Sequence, residues 1–106
     1  MRLSLNEQEV VDGVCVVVAN WMGSHVDQVD VKELSYKKGF GFCAEVTCGS
    51  ARYEVDGDDI RKGIRMFLEQ YHNFNPEIMG VYLNFTKKEG FTAEVVLEEG
   101  EEEEEC

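Results

Sequence analysis

The sequence predicts an α+β fold with the element order α-β-β-β-α-β-β, in which two helices cover one face of an antiparallel sheet. Three observations lead to this prediction. A motif recurs after 49 residues, apolar residues recur at helical spacing before each copy of it, and apolar and polar residues alternate within it. Strands that are apolar on one face only are typical of an antiparallel sheet with helices on one side.

The internal repeat sets the expected organisation of the chain. The stretch "LSYKKGFGFCAEVTC" aligns with "LNFTKKEGFTAEVVL", and the same offset places "EVVDGVCVVVANWM" over "DDIRKGIRMFLEQY". Each copy is therefore expected to be a helix followed by a hairpin. We predict a single α+β domain at 1–97, with repeat 1 at about 6–48, repeat 2 at about 56–97, and a disordered acidic tail at 98–106.

The first predicted helix has the weaker signal. Its "VCVVVA" run is β-branched and favours a strand on propensity alone. However, Asn6 and Glu9 have the spacing of a capping box, and Gly23 lies where a C-terminal cap is expected. The repeat also aligns Val11 with Ile60 of the second helix. We therefore predict a helix here, since tertiary context often overrides propensity.

The first hairpin and a third strand follow this helix. Tyr36 is expected opposite Phe42 across the hairpin. Apolar positions change parity within 29–34, which indicates a β-bulge. The dipeptide "GS" then permits a turn into a short strand, "ARYEV".

The second helix and hairpin have clearer patterns. An apolar stripe at helical spacing is formed by Ile60, Ile64, Phe67, Leu68 and Tyr71. Asp58 or Asp59 is the expected N-cap, and Asn75–Pro76 is expected to end the helix. In the hairpin, Phe85 is expected opposite Phe91, which places the apolar residues of both strands on one face.

Charge and composition exclude several classes of protein. The net charge is −12, from 22 acidic and 10 basic residues, and the lysines come in small pairs that look like turn residues. Binding to nucleic acid or to an anionic membrane is therefore disfavoured. No apolar run is long enough to span a membrane, and the N-terminal stretch does not resemble a signal peptide. The sequence contains no CxxC pair. We expect a cytoplasmic protein whose four cysteines are free thiols.

The acidic tail is most simply interpreted as a solvated, unfolded segment. Seven glutamates fall in 98–105, five of them consecutive. Like charges at this density repel one another and keep a segment exposed to water and unfolded. Docking on a basic partner is one alternative, and weak capture of Mg²⁺ or Ca²⁺ is another. The spacing of a specific calcium loop is missing both here and in "DGDD" at 56–59.

The candidate site lies on the polar face of the predicted sheet. We expect a ligand or interaction face formed by Cys43, Glu45, Tyr82, Asn84 and Glu94. The repeat places Glu45 and Glu94 at equivalent positions, and paired carboxylates can bind a metal ion or act as acid and base. A glutamate on an exposed strand is, however, usually a solubilising residue. We assign no catalytic residue, no metal ligand and no cofactor, because no further group completes such a site.

The motifs "EQEVVDGVCVVVAN", "GFGFCAEV", "IRKGIRMFLEQY" and "GFTAEV" together resemble the small YxcD-like bacterial proteins of unknown function. The resemblance covers about 3–97. It implies a cytoplasmic protein and carries no catalytic residues to transfer. We expect a non-enzymatic protein-interaction module that binds an unidentified protein or a second copy of itself. The alternative is a small-ligand or metal-binding protein that uses the carboxylates of the sheet face.

Overall fold

The computed structural model describes residues 2–39 and 41–97, apart from the side chain at position 76. The acidic tail predicted at 98–106 lies outside the described residues. The main elements are β1 (Arg2–Leu5), α1 (Glu7–Met22), β2 (Val29–Lys37), β3 (Gly41–Cys48), β4 (Ala51–Asp56), α2 (Gly57–His72), β5 (Met79–Thr86) and β6 (Gly90–Leu97). Short 3₁₀ helices, Val26–Gln28 and Pro76–Ile78, lead into β2 and β5.

The strands form two antiparallel sheets of three strands each. Sheet 1 has the order β2-β3-β4, and sheet 2 has the order β1-β6-β5. The α+β fold class is confirmed, and the strands are divided between two sheets rather than joined in one. Both hairpins have the expected register, with Tyr36 opposite Phe42 and Phe85 opposite Phe91.

Strand β1 was not predicted. Its four residues alternate correctly, with Leu3 opposite Val95 and Leu5 opposite Ala93. Two leucines at the start of a chain are too short a pattern to indicate a strand, because the pairing depends on a partner more than 80 residues away. With β1 included, each half of the chain has the order β-α-β-β. The first strand of each half joins the hairpin of the other half, since β1 pairs with β6 and β4 pairs with β3.

Helix α1 begins at the predicted capping box. The Asn6 side chain accepts a hydrogen bond from the Glu9 backbone N–H at 2.9 Å, and the Glu9 carboxylate accepts one from the Asn6 N–H at 2.9 Å. Gly23 ends the helix with φ of 64°, a left-handed conformation that glycine adopts without steric cost. Val14 and Val17 have no exposed surface. Burial of these valines stabilises a helix that their β-branched side chains disfavour.

Helix α2 begins earlier than predicted. Its N-cap is Asp56, whose side chain accepts a hydrogen bond from the Asp59 backbone N–H at 2.9 Å, so the assignment of Asp58 or Asp59 as the cap was wrong. Strand β4 continues directly into the helix, and its last residue therefore becomes the cap. The helix ends at His72 with Asn73 at φ of 61°, before the predicted Asn75–Pro76 boundary.

A bulge in β2 changes the correspondence between the two halves. The register shifts between Val31 and Glu33, which confirms the predicted bulge. One extra residue in β2 means that the elements before it correspond at an offset of 50, while the hairpins after it correspond at 49. The predicted pairing of Val11 with Ile60 was therefore wrong by one residue. Val10 is the counterpart of Ile60, and both side chains are buried.

The corrected offset reveals a glycine pair between the helices. Gly13 and Gly63 correspond at an offset of 50, and both are buried. A Cβ atom added to Gly63 would clash with the carbonyl oxygen of Gly13, and one added to Gly13 would lie 2.9 Å from Cγ1 of Ile64. The helices thus pack with their backbones in direct contact. The inner faces of both sheets cover this helix pair and form one buried core.

Candidate interaction sites on the sheets and hairpin tips

The predicted five-residue face is divided between the outer faces of the two sheets, which are the faces turned away from the helices. Tyr82, Asn84 and Glu94 lie on the outer face of sheet 2. Cys43 and Glu45 lie on the outer face of sheet 1. The structure therefore does not bring the five residues together into one site.

The outer face of sheet 2 contains an open groove of about 670 Å³. Tyr82 is directly opposite Glu94, and Ser4 flanks Glu94 on its other side. Asn84 is opposite Thr92 along the same groove. With 63% of its surface exposed, Tyr82 offers a ring beside several hydrogen-bonding groups. This arrangement suits a small polar ligand that stacks on an aromatic ring.

The corresponding face of sheet 1 is more acidic. Glu45 lies between Glu33 and Glu54 in register across the three strands. Like charges on neighbouring strands repel each other. Nearby, the thiol of Cys43 lies 3.0 Å from the hydroxyl oxygen of Ser35. Glu33 and Glu54 of sheet 1 thus occupy the positions that Tyr82 and Ser4 occupy in sheet 2.

Each of the two repeated glutamates has an arginine partner. Arg2 pairs with Glu94 at 3.5 Å, and Arg52 pairs with Glu45. The arginines lie 50 residues apart, on β1 and β4, so the alignment at an offset of 49 did not show them as equivalent. A guanidinium on each carboxylate makes both glutamates half of a surface ion pair. Within residues 2–39 and 41–97, no group of three or more His, Cys, Asp or Glu side chains is placed to hold a metal ion.

The cysteines within the described part of the chain are free thiols. Cys15, Cys43 and Cys48 are each half-buried and form no disulfide. Burial, followed by the nearby carboxylates of Asp12 and Asp30, raises the pKa of Cys15 to about 11. Its thiol is therefore protonated at neutral pH and is a poor nucleophile.

The hairpin tips bring four aromatic rings together. Tyr36 contacts Phe42 across the first hairpin with ring centroids 4.8 Å apart, and Phe85 contacts Phe91 across the second at 4.6 Å. Phe42 and Phe91 then meet edge to face at 6.1 Å and join the two hairpins. The outer rings are strongly exposed, 53% for Tyr36 and 45% for Phe85. Alternation placed these residues on the apolar face of the predicted hairpins, but it does not show that the hairpins extend past the cover of the helices.

Four lysines flank this row of rings. Lys37 and Lys38 follow Tyr36, and Lys87 and Lys88 lie in the turn after Phe85. All four are exposed, and none forms an ion pair with another described residue. Four of the other basic residues are in ion pairs, namely Arg2, Lys32, Arg52 and Arg61. We call the four rings and these four lysines the tip surface.

No helix within 2–39 and 41–97 has both the length and the apolar character that crossing a membrane requires.

The architecture is that of a small α+β protein with two related β-α-β-β halves and open surfaces on its sheets and tips. The chain belongs to the family described as protein of unknown function (DUF2653), whose family model matches residues 1–88. It is 53% identical over 102 residues to the uncharacterized protein YxcD of Bacillus subtilis (strain 168), and the match covers 96% of this chain and 100% of that protein. These matches confirm the resemblance to YxcD-like proteins. No solved structure matches the chain significantly.

Proposed function

We propose that this protein is a non-enzymatic interaction module that acts in the cytoplasm and binds another protein through its tip surface. The observation that carries the proposal is the exposed row of aromatic rings at the junction of the two hairpins. Tyrosine and phenylalanine rings supply a large contact area at a low entropic cost. Scattered apolar side chains on a surface need no explanation, but a contiguous row of rings does.

The tip surface is also firmly supported. Phe42 and Phe91 are half-buried and touch each other, and each exposed outer ring packs against one of them. A rigid aromatic surface loses little side-chain freedom when a partner binds. The tip surface is therefore better organised for binding than the outer face of sheet 1, where three glutamates lie side by side.

The proposal is tested by comparing variants in affinity capture from an extract of the native cells. Tyr36→Ser together with Phe85→Ser removes the exposed rings and keeps the inner pair. Tyr82→Ala is the matched control, because it removes an exposed ring from the groove of sheet 2. We expect proteins recovered with the native chain and the control to be lost with the double variant. Equal recovery with all three chains would contradict the proposal.

A homodimer is a variant of the same proposal, in which the partner is a second copy. Sedimentation equilibrium of the native chain and of the Tyr36→Ser, Phe85→Ser variant distinguishes the two cases. A dimer that dissociates in the variant would make the partner a second copy, and a monomer in both would leave the partner as another protein.

The groove of sheet 2 favours a second candidate function, which is binding of a small polar ligand. Tyr82, Asn84, Thr92 and Glu94 present a ring, an amide, a hydroxyl and a carboxylate in one open groove. Screening small polar compounds by thermal shift tests this function, because a ligand that binds only the folded state raises the melting temperature. A shift that disappears in Tyr82→Ala would favour this function over the interaction module.

A further inference from the structure

We infer that the outer edge of β5 pairs antiparallel with the same edge of a second copy of the chain, so that two three-stranded copies of sheet 2 join into one continuous sheet. This inference goes beyond the proposed function, because the interface is a strand edge rather than the tip surface. It follows from the position of β5, from its lack of charge and from the exposure of its second half.

The other sheet edges in the described part of the chain are protected against such pairing. Sheet 1 has β2 and β4 at its edges, and sheet 2 has β1 and β5. Edge strands present backbone groups on which another strand can pair, and charges, bulges or short length prevent this. Strand β2 contains the bulge and four charged residues, and β4 contains three charged residues. Strand β1 is only four residues long and begins with Arg2.

Strand β5 has none of these protective features. Its sequence, MGVYLNFT, contains no charged residue. All eight of its residues pair with β6 in an unbroken register. Strand β5 is the counterpart of β2 in the other half of the chain, and β2 shows that the fold accepts charges at this edge. The neutral sequence of β5 is therefore not required by the fold, and it suits a strand that pairs with another strand.

The second half of β5 is the part of the edge that a partner can reach. Met79 and Val81 are buried, whereas four of the five residues in 82–86 are exposed. Tyr82 and Phe85 are among the large side chains that the fold leaves open to solvent. A second strand along this stretch would remove apolar surface of both rings from water.

The backbone of this stretch directs hydrogen-bonding groups to its outer side. The Phe85 backbone N–H donates a hydrogen bond to Oδ1 of Asn84 at 2.9 Å. An N–H that bonds to a neighbouring side chain points away from the ladder with β6, and alternate residues of a strand point to the same side. The N–H of Leu83 therefore also faces the outer edge. The Asn84 amide oxygen holds the place that a carbonyl oxygen of a second strand would take.

A second copy fits this stretch because the edge is self-complementary. A two-fold axis at Asn84 places Leu83 opposite Phe85 of the second copy, so that apolar side chains meet on the inner face. On the outer face, Tyr82 lies opposite Thr86, and the two Asn84 amides face each other. Each amide carries both donors and an acceptor, so two identical amides can bond to each other.

Charge also favours this contact over other contacts between two copies. Each copy has a net charge of −12, so most surfaces of two copies repel each other. Across the β5 edge no facing residue is charged. A pairing of five residues per strand is small, and we expect a dissociation constant of roughly 10–100 µM. Association should tighten with salt, because salt screens the repulsion between the copies.

Sedimentation equilibrium of the full chain, at concentrations up to roughly 500 µM, tests the inference. Asn84→Lys places two ammonium groups face to face across the axis and should weaken dimerisation at least about tenfold, although it makes each copy less negative. Thr92→Lys is the matched control, because it adds the same charge directly opposite Asn84 on the central strand β6. This control should dimerise at least as tightly as the native chain. Tyr36→Ser, which alters the tip surface on the other hairpin, should leave dimerisation unchanged.

Hydrogen exchange locates the interface independently. The amides of Leu83 and Phe85 should exchange more slowly as the concentration of the native chain rises, and this protection should be lost in Asn84→Lys. Asn84 is exposed, so the variant should keep the native circular dichroism spectrum at low concentration, where the native chain is also monomeric.

The remaining outcomes overturn the inference in different ways. A native chain that stays monomeric over the whole range, or a dimer that persists in Asn84→Lys, excludes pairing at the β5 edge. A dimer that is lost in Tyr36→Ser but kept in Asn84→Lys would move the contact to the tip surface. A monomer whose Leu83 and Phe85 amides are protected only by a captured protein would replace the second copy by a strand of that protein.

Discussion

The two halves of the chain agree at inner positions and differ at outer ones. Ala44 and Ala93 correspond, and both are buried under the helices. On the outer faces, Glu33 of sheet 1 corresponds to Tyr82 of sheet 2, where the open groove lies. Packing limits what an inner position can hold, whereas an outer position is limited mainly by solubility. Differences in binding between the halves are therefore expected on the outer faces.

The tip surface contains both inner and outer positions. Its inner rings, Phe42 and Phe91, are the same residue in both halves, and they hold the hairpins together. Its outer rings are Tyr36 in one half and Phe85 in the other. Under the proposed function, a partner of the tip surface would contact both hairpins at once.

The largest effect on stability is expected from a substitution in the contact between the two helices. Gly63→Ala places a Cβ against the carbonyl oxygen of Gly13, so the helices must separate. We expect the free energy of unfolding to fall by about 3 kcal/mol, which outweighs the helix propensity gained on replacing glycine. Urea denaturation followed by circular dichroism measures the change.

Two other glycines serve as controls for this effect. Gly13→Ala should destabilise the protein by less, because its closest new contact is the Ile64 side chain at 2.9 Å. Gly57→Ala would make only ordinary contacts of 3.6 Å or more. Its unfolding free energy should stay within about 0.5 kcal/mol of the native value. Equal values for Gly63→Ala and Gly57→Ala would show that the helix backbones do not touch.

Removal of the inner rings should affect the two halves equally. Phe42→Ala and Phe91→Ala each remove a half-buried ring with two ring neighbours. We expect each to cost about 2 kcal/mol, less than the roughly 3–5 kcal/mol of a fully buried phenylalanine. Urea denaturation of both variants compares them directly. If one variant unfolds like the native chain, the two hairpins do not have equivalent roles.

The local signals in the sequence predicted much of this architecture. The capping box of Asn6 and Glu9 is a four-residue pattern, and the hairpin register follows from alternation around a short turn. The bulge in β2 was also visible as a change of parity. Each of these features depends on residues that are close together in the chain.

Features that depend on distant residues were not predictable in the same way. Strand β1 exists because β6 is available to pair with it. Gly13 and Gly63 align only at an offset of 50. The hairpins align at 49, and the bulge in β2 accounts for the difference. The candidate site illustrates the same limit. Parity placed Cys43 and Tyr82 on outer faces, but it could not show that these faces belong to different sheets.

The repeated glutamates should contribute little to stability. Glu45→Gln with Glu94→Gln keeps the size of both side chains and removes the charge that each arginine contacts. Exposed ion pairs are worth little, so we expect the free energy of unfolding to change by less than about 1 kcal/mol. The melting temperature of the native chain should not respond to Mg²⁺, Mn²⁺ or Zn²⁺. A metal-dependent rise that disappears in this variant would make the glutamates a binding site.

The smallest effect is expected from the acidic tail. Leu97 is buried at the end of β6, so a truncation should keep a short spacer after it and remove only residues 100–106. The removed stretch holds five glutamates and supplies no large apolar side chain to a core. Its removal lowers the net negative charge of a chain that is already acidic. Repulsion among like charges opposes folding, and salt screens it. We therefore expect the melting temperature at low salt to stay constant or rise by about a degree, and this rise to vanish at high salt.

Replacing Glu101–Glu105 by glutamine at constant length should reproduce the result, because the effect comes from charge. A fall of several degrees in both variants would mean that the tail stabilises the folded domain through its carboxylates.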